Sequence, residues 1–249
     1  MIDLHTHVLA GVDDGPATIA ESLEMLADCV KSGVQAVAAT PHVRDDYPTT
    51  ADVMEHGVGT LRREAEAESI RVEILTGGEI SLECLSTTPA AELRRFGLGG
   101  SSRYLLVEFP YHGWPLNLAE QLAALRSNDF RAVLAHPERN DQVQAAPARL
   151  EPLVENGALI QLTAASVAGM LGRSTHATAL RLLELGLAHL LASDVHARGT
   201  RAGLAAAVRE IPDGQLAQWL TTDVPQAIVS DNRIPPRPSG RRRRLRKAQ

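Results

Sequence analysis

The sequence predicts an α/β fold: a closed or nearly closed, TIM-barrel-like array of parallel strands alternating with helices, with an open doubly wound sheet as the alternative. Three observations carry this. Short apolar runs alternate with longer amphipathic ones along most of the chain, which implies parallel pairing through right-handed crossovers. The strand-like runs are apolar throughout rather than at every second residue, as expected of strands buried on both faces. The 249 residues, 44% of them hydrophobic, suffice for one sizeable core.

The elements follow in order. "MIDL" reads as a strand and "TIAESLEMLADCVKSG" as a helix. Thr18 and Glu21 stand at capping-box spacing, Leu23, Met25, Leu26 and Val30 supply an apolar face, and Gly33 sits at the stop. "VQAVAAT" is the second strand, followed by the helix "ADVMEHGVGTLRREAEAES", which carries two glycines. "RVEILTG" pairs with a short helix at "AAELRRF", "RYLLVEF" with "LNLAEQLAALRSN", and "RAVLAH" with "PARLEPLVENG". "ALIQLTA" pairs with "THATALRLLELG" and "AHLLASD" with "RAGLAAAVREI"; "GQLAQWLTTD" and "VPQAIVSDN" close the domain. Seven such units suggest an eightfold barrel with one unit missing.

Charge divides the chain. The net charge is −5, yet 235–249 holds seven basic residues and no acidic one, leaving −12 on the rest. Residues 1–232 read as one domain and 233–249 as a basic, disordered arm. Such an arm is either simply solvated or contacts an anionic partner, the inner leaflet or an acidic protein surface. No nucleic-acid partner is expected. Two cysteines, Cys29 and Cys84, are too few for a disulfide framework and fit a cytoplasmic setting, peripheral to the inner membrane if the arm binds it. No apolar run approaches the roughly 18–20 residues that span a bilayer, and no secretory signal is recognisable.

Five of the nine histidines fall at or just past the end of a predicted strand: His5, His7, His42, His136 and His196. Glu79, Glu108 and Asp194 occupy the same place on other strands, and Asp13 and Asp14 lie in the loop after the first. In a parallel barrel these ends share one face, where catalytic groups gather. Unpaired carboxylates crowded together repel. Divalent ions remove the repulsion, since imidazole nitrogen and carboxylate oxygen are their usual ligands. Eight strand-end groups and one of the two aspartates make nine candidate ligands, enough for two or three ions. Without cysteine in the set, Mn, Fe or Zn in a nitrogen–oxygen site is expected rather than structural zinc.

The remaining groups have plainer readings. His56, His176 and His189 are expected to be structural, and His112 is left open between surface and substrate. Arg139 and Arg201 lie three and five residues beyond His136 and His196. They are candidates to grip phosphate oxygens, with Arg198 less favoured. Phosphate-ester hydrolysis suits such a centre, because paired ions supply a nucleophile and offset developing charge. A thiol phosphatase would need an arginine-ended loop after its cysteine, but past five intervening residues after Cys84 and Cys29 stand Ala90 and Gln35.

The ordered segments "DLHTH", "GVDDGP", "ATPH", "GGEI", "VEFP", "AHPERN" and "ASDVH" resemble the polymerase-and-histidinol-phosphatase (PHP) superfamily. Within it they are most similar to the bacterial capsule and exopolysaccharide branch of metal-dependent protein-tyrosine phosphatases. The resemblance covers about residues 1–230. It implies a distorted (β/α)7 barrel with three metal ions, Mn ahead of Fe or Zn. His5, His7, Glu79 and Asp194 would hold one ion; Glu79, Glu108 and His136 a second; Asp14, His42 and His196 a third. It favours Asp14 over Asp13 as ligand, with Asp13 and Asp3 orienting others. It implies phosphate contacts by Arg139 and Arg201, and as partner a phosphotyrosine protein, a membrane-associated autophosphorylating tyrosine kinase. The competing functions are a small-molecule phosphoesterase of the histidinol-phosphate or nucleotide type, and a metal-binding regulator without turnover.

Overall fold

The computed structural model describes residues 1–197 and 203–239. Ten strands appear among them: β1 (Ile2–Thr6), β2 (Ala36–Ala39), β3 (His42–Arg44), β4 (Tyr47–Pro48), β5 (Glu73–Leu75), β6 (Glu79–Ile80), β7 (Tyr104–Glu108), β8 (Arg131–Ala135), β9 (Leu159–Thr163) and β10 (Leu190–Ala192). They form a three-stranded sheet, β1-β2-β5, and a seven-stranded sheet, β10-β9-β8-β7-β6-β3-β4. Every pairing is parallel except β3 with β4. The expected parallel α/β core is therefore present.

The described strands do not form one closed sheet. Two of the expected strands each break into two. Between β2 and β3 the chain passes through Thr40 and Pro41, and proline has no N–H for a ladder. Between β5 and β6 it passes through Gly77 and Gly78. A Cβ on Gly78 would stand 2.6 Å from the Phe96 ring, so only glycine lets the backbone run this close. The first half of each strand serves the small sheet and the second half the large one. β1 meets the segment beyond β10 through a bridge between Thr6 and Val195, with Asp194 N–H donating to the His5 carbonyl at 2.9 Å.

Strands β7, β8 and β9 are buried along almost their whole length; Leu105, Val133, Leu134, Ile160 and Leu162 are fully enclosed. Each such side chain contributes about 1.5–3 kcal/mol by leaving water. The helices cover the sheets. Helix α1 (Ile19–Lys31) begins at Thr18, whose side chain accepts from Glu21 N at 3.3 Å while the Glu21 carboxylate accepts from Thr18 N at 3.3 Å. Replacing Thr18 by alanine removes this cap, and urea denaturation is expected to show a loss of about 1 kcal/mol. Helix α2 (Ala51–Ala67) forms despite Gly57 and Gly59, because Met54, Val58, Leu61 and Ala65 bury one face.

Short helices at Leu82–Thr87 and Asp141–Ala145 were not legible as periodic runs; Ser81 and Asn140 side chains cap them. The chain after 232 lies against the domain as far as it is described. Trp219 Nε1 donates to the Pro235 carbonyl at 3.0 Å, and Arg237 donates to the Leu183 carbonyl at 2.7 Å. Ile234 packs against the core. The polybasic run 240–249 lies outside the described residues. Among the described residues no helix is long and apolar enough to cross a membrane.

Candidate metal centre

All nine expected donors converge: seven lie at or beyond the carboxyl end of a strand, and two, His42 and Glu79, at the first residue of a strand that resumes after a break. His5 lies at the buried end of β1, and His7 follows where the chain leaves the strand. His42 opens β3, Glu79 opens β6 and Glu108 closes β7. His136 and Asp194 terminate the segments after β8 and β10 with positive φ, 38° and 55°. Non-glycine residues adopt such angles at a cost, typically where a site fixes them. Here the left-handed turn swings each side chain inward from the strand end.

Glu79 is the hub. Its carboxylate is fully buried. One oxygen is 2.9 Å from His136 Nε2; the other is 3.3 Å from His5 Nε2, 3.4 Å from His7 Nε2 and 2.9 Å from His42 Nδ1. His42 Nδ1 and Glu79 Oε2 do not complete an aligned hydrogen bond despite their distance, and both remain without a partner. Asp194 Oδ1 is 3.4 Å from His5 and 3.6 Å from His7. Asp14 faces His42 at 3.5 Å and His196 at 3.3 Å.

The residues behind the donors fix which nitrogen faces inward. Gln161, buried in β9, accepts from His5 Nδ1 at 3.1 Å and from the His136 backbone N–H at 3.3 Å. Asp13 accepts from His7 Nδ1 at 2.7 Å and from the His42 backbone N–H at 3.0 Å. With Nδ1 of both rings donating outward, the two Nε2 atoms, 3.2 Å apart, present lone pairs to the same space. Neutral rings so placed would repel; a cation between them removes the conflict. Asp3 accepts from the backbone N–H groups of Ser193 and His5, tying β1 to the Asp194 segment.

Electrostatics point the same way. Burial alone would lower the His5 pKa, but the Glu79 and Asp194 carboxylates overcome it and raise it to about 9. His7 behaves alike: burial opposes its charge, yet Asp13 and Glu79 raise it to about 10. Glu79, despite burial, is held well below the ordinary carboxylate range by His5, His136 and His42. Burial and the Glu79 charge push Glu108 up. Such a site demands positive charge: protons, or metal ions bound in their place. The donors are imidazole and carboxylate only, and four groups of them lie close enough to hold an ion: His5-His7-Asp194, His5-Glu79-His136, His42-Glu79-Glu108 and His7-Asp14-His42-His196. The residues present therefore fit divalent ions.

Every expected ligand appears in these groups, but the partition differs in detail. His136 lies with His5 and Glu79, whereas Glu108 lies with His42 and Glu79. His7 joins Asp14, His42 and His196. Asp13 stands behind His7 rather than in any group, as expected of an orienting residue. Arg139 donates to Asp194 Oδ2 at 2.9 Å and stacks on Tyr111, its guanidinium carbon 4.5 Å from the ring centre. Arg198 and Arg201 lie outside the described residues.

The histidines expected to be structural sit away from the cluster. His56 is exposed, His176 contacts the Ser166 carbonyl at 3.1 Å, and burial lowers His189 to about 4. His112 is an exposed loop residue 3.5 Å from Asp141. Sequence reasoning missed Gln161, Tyr111 and Arg44, which donates to Glu108 at 3.0 Å. Gln161 alone carried a usable signal, an amide inside an otherwise apolar strand.

Fold and donor set together define an α/β protein built around a nitrogen–oxygen metal-binding cluster. The chain belongs to the CpsB/CapC family: the family model for capsular polysaccharide synthesis, CpsB/CapC, matches residues 1–230. It is 32% identical over 250 residues to tyrosine-protein phosphatase YwqE of Bacillus subtilis (strain 168), covering 98% of each chain. It is 27% identical over 246 residues to tyrosine-protein phosphatase CpsB of Streptococcus pneumoniae, covering 94% of this chain and all of that one. A crystal structure from work on YwqE and CpsB, described there as unique metal-dependent tyrosine phosphatases, superposes with TM-score 0.84 at 31% identity. It covers 97% of this chain and 100% of the other. A lactonase from Listeria monocytogenes, 15% identical with TM-score 0.54, shares the fold alone.

Proposed function

We propose that this chain is a metal-dependent protein-tyrosine phosphatase acting on a bacterial tyrosine kinase of capsule or exopolysaccharide synthesis, with no phosphoenzyme. The observation that carries this reading is the convergence of five imidazoles and four carboxylates beside the Arg139 guanidinium. His5, His7, Glu79 and Asp194 would hold one ion, Glu79, Glu108 and His136 a second, and Asp14, His42 and His196 a third, with Mn favoured over Fe or Zn. Bound divalent ions would supply a nucleophilic hydroxide near neutral pH and offset charge on the phosphoryl oxygens.

The chain's own residues do the rest. Arg139, half-free at the mouth and steadied by Tyr111, offers N–H groups to phosphate oxygens, and Arg201 is proposed for the same task. Asp13 and Gln161 keep His7 and His5 in the tautomers that turn Nε2 inward. A phenolate leaving group, with a parent pKa near 10, needs less protonation than an alkoxide. The cluster therefore suits tyrosine phosphate without a dedicated acid.

The two sheets are read as halves of a distorted (β/α)7 barrel, supported by the Thr6–Val195 bridge between β1 and the end of β10. Residues 1–232 are read as the catalytic domain, with the basic segment after them an appended arm that contacts anionic membrane where the kinase resides. Metal content by mass spectrometry and turnover with chelator and Mn²⁺ add-back test the enzymatic reading. Phosphotyrosyl peptide is expected to be turned over faster than histidinol phosphate, and chelation to stop both. A preference for histidinol phosphate, or turnover undiminished by chelation, overturns it.

A further inference from the structure

A preformed trough leads away from the cluster. It starts in a cleft of about 380 Å³ between Arg44, Asp45 and Glu108, and continues into one of about 610 Å³ that reaches Trp114 and Asn117. The two share Leu82, Glu83 and Pro110, so together they form one path that begins at a candidate ligand. One wall is the loop after β7, and it is unusually well tied down for a surface loop. Asn140 Nδ2 donates to the carbonyls of Pro110 and Gly113 at 2.7 and 2.8 Å. Asp141 N–H donates to the Tyr111 carbonyl at 3.0 Å, and Gly113 N–H to Asp141 Oδ1 at 3.0 Å. Trp114 is clamped between Phe109, edge-on with ring centres 5.7 Å apart, and the Arg149 guanidinium, 4.3 Å from its ring centre.

This fixed loop holds two apolar side chains in water. Leu116 is 101% exposed and Tyr111 40%. Only two other large hydrophobic side chains are exposed among the described residues, Val53 and Met170. The side chains by which this loop lines the trough, Pro110, Trp114 and Pro115, are therefore held in place for a ligand at low entropic cost. The opposite wall is acidic. Asp45 and Glu83 are exposed, and the one guanidinium there, Arg44, is already spent on Asp46 at 2.8 Å and Glu108 at 3.0 Å.

We propose that the trough holds the polypeptide flanking the phosphotyrosine, with basic side chains against Asp45 and Glu83 and an apolar one against Trp114 and Pro115. A small phosphate ester would fill only the mouth; a chain needs the length of both clefts. The inference rests on the phosphatase reading and adds a substrate class to it: tyrosine phosphate set in a Lys- or Arg-containing segment.

The test uses the full chain, metal-loaded, and three peptides whose phosphotyrosine is flanked by lysines, alanines or glutamates. The wild type is expected to show kcat/KM about tenfold higher for the lysine peptide than for the glutamate peptide, at roughly two- to fivefold per exposed ion pair. The double variant Asp45→Lys, Glu83→Lys should invert that order, and each single variant should narrow it. Turnover of p-nitrophenyl phosphate should stay unchanged in every variant, which also shows that the variants fold. Matching peptides carrying non-hydrolysable phosphonomethyl-phenylalanine, followed by fluorescence anisotropy, should bind in the same order without any turnover. Equal binding of the lysine and glutamate peptides overturns the trough. Loss of p-nitrophenyl phosphate turnover in the wild type would instead overturn the phosphatase reading, and the anisotropy order would still decide the trough.

Discussion

Glu79→Gln is expected to abolish phosphatase turnover and to strip metal from the two candidate groups that Glu79 joins. The substitution keeps the side chain's size but replaces an anionic oxygen with an amide NH₂. Four imidazoles, those of His5, His7, His42 and His136, meet this one carboxylate. An amide donor directed at inward-facing nitrogens cannot bridge ions, so two or more of the candidate groups fail together. Activity should fall by well over the roughly 10–100-fold that loss of an orienting residue costs. Gln161→Leu supplies that comparison, because it removes only the acceptor behind His5 and His136. Metal content by mass spectrometry should drop in both, and by more in Glu79→Gln, where two of the four groups lose a donor. Full metal occupancy in Glu79→Gln would remove Glu79 as the hub.

Removing metal by chelation is expected to make stability strongly pH-dependent on the alkaline side. The sign follows from the two buried imidazoles. In the metal-free chain His5 is raised to about 9 and His7 to about 10, against about 6.5 in the unfolded state. A base held protonated by the fold stabilises it fully below its unfolded value, and that contribution is lost as pH rises through the folded value. For His5 this is on the order of 3 kcal/mol, at about 1.4 kcal/mol per unit. His7 shares Glu79 and Asp194 with it, so the two do not simply add. Between pH 6 and 10 the melting midpoint of chelated protein should fall by roughly 6–12 °C, at about 2–4 °C per kcal/mol for a chain this long. Metal-loaded protein should lack this fall, since its Nε2 atoms carry ions rather than protons. The lowered Asp13 and Glu79 carboxylates add the opposite limit: their contribution is present above the ordinary carboxylate range and is lost as pH falls through their depressed values. Parallel melting curves for both forms from pH 6 to 10 would contradict the arrangement.

Much of the fold was legible because its signals are local. The capping box at Thr18 and Glu21, the apolar face of α1 and the continuous apolar runs of β7, β8 and β9 each follow from neighbouring residues and their spacing. The strand breaks at Pro41 and at Gly77–Gly78 were missed, although both carried signals. The reason is that "VQAVAATPH" and "ILTGGEI" read as one strand end each, while packing of Phe96 on Gly78 decides where the chain changes sheet. The two short capped helices were too brief for periodicity to register.

The site divides similarly. Its nine donors stood out because strand alternation places every strand end on one face, so residues far apart in sequence could be assigned to one region. Distance in space decided what that rule leaves open. Asp13 and Asp14 are adjacent in the same turn, yet Asp13 points back to His7 Nδ1 and Asp14 toward His42 and His196. Gln161 orients two donors from a strand 25 and 156 residues away from them. No local pattern links such positions.

The sequence by itself determined the parallel α/β core, the helix caps and the inventory of metal-capable side chains, because apolar periodicity, turn chemistry and residue type are properties of short segments. The tertiary structure alone decided the split into two sheets, the sharing of Glu79 among four imidazoles, the tautomers set by Asp13 and Gln161, and the trough that runs from Glu108 to Trp114. Those depend on packing and on distances of about 3 Å between segments that meet only once the chain has folded.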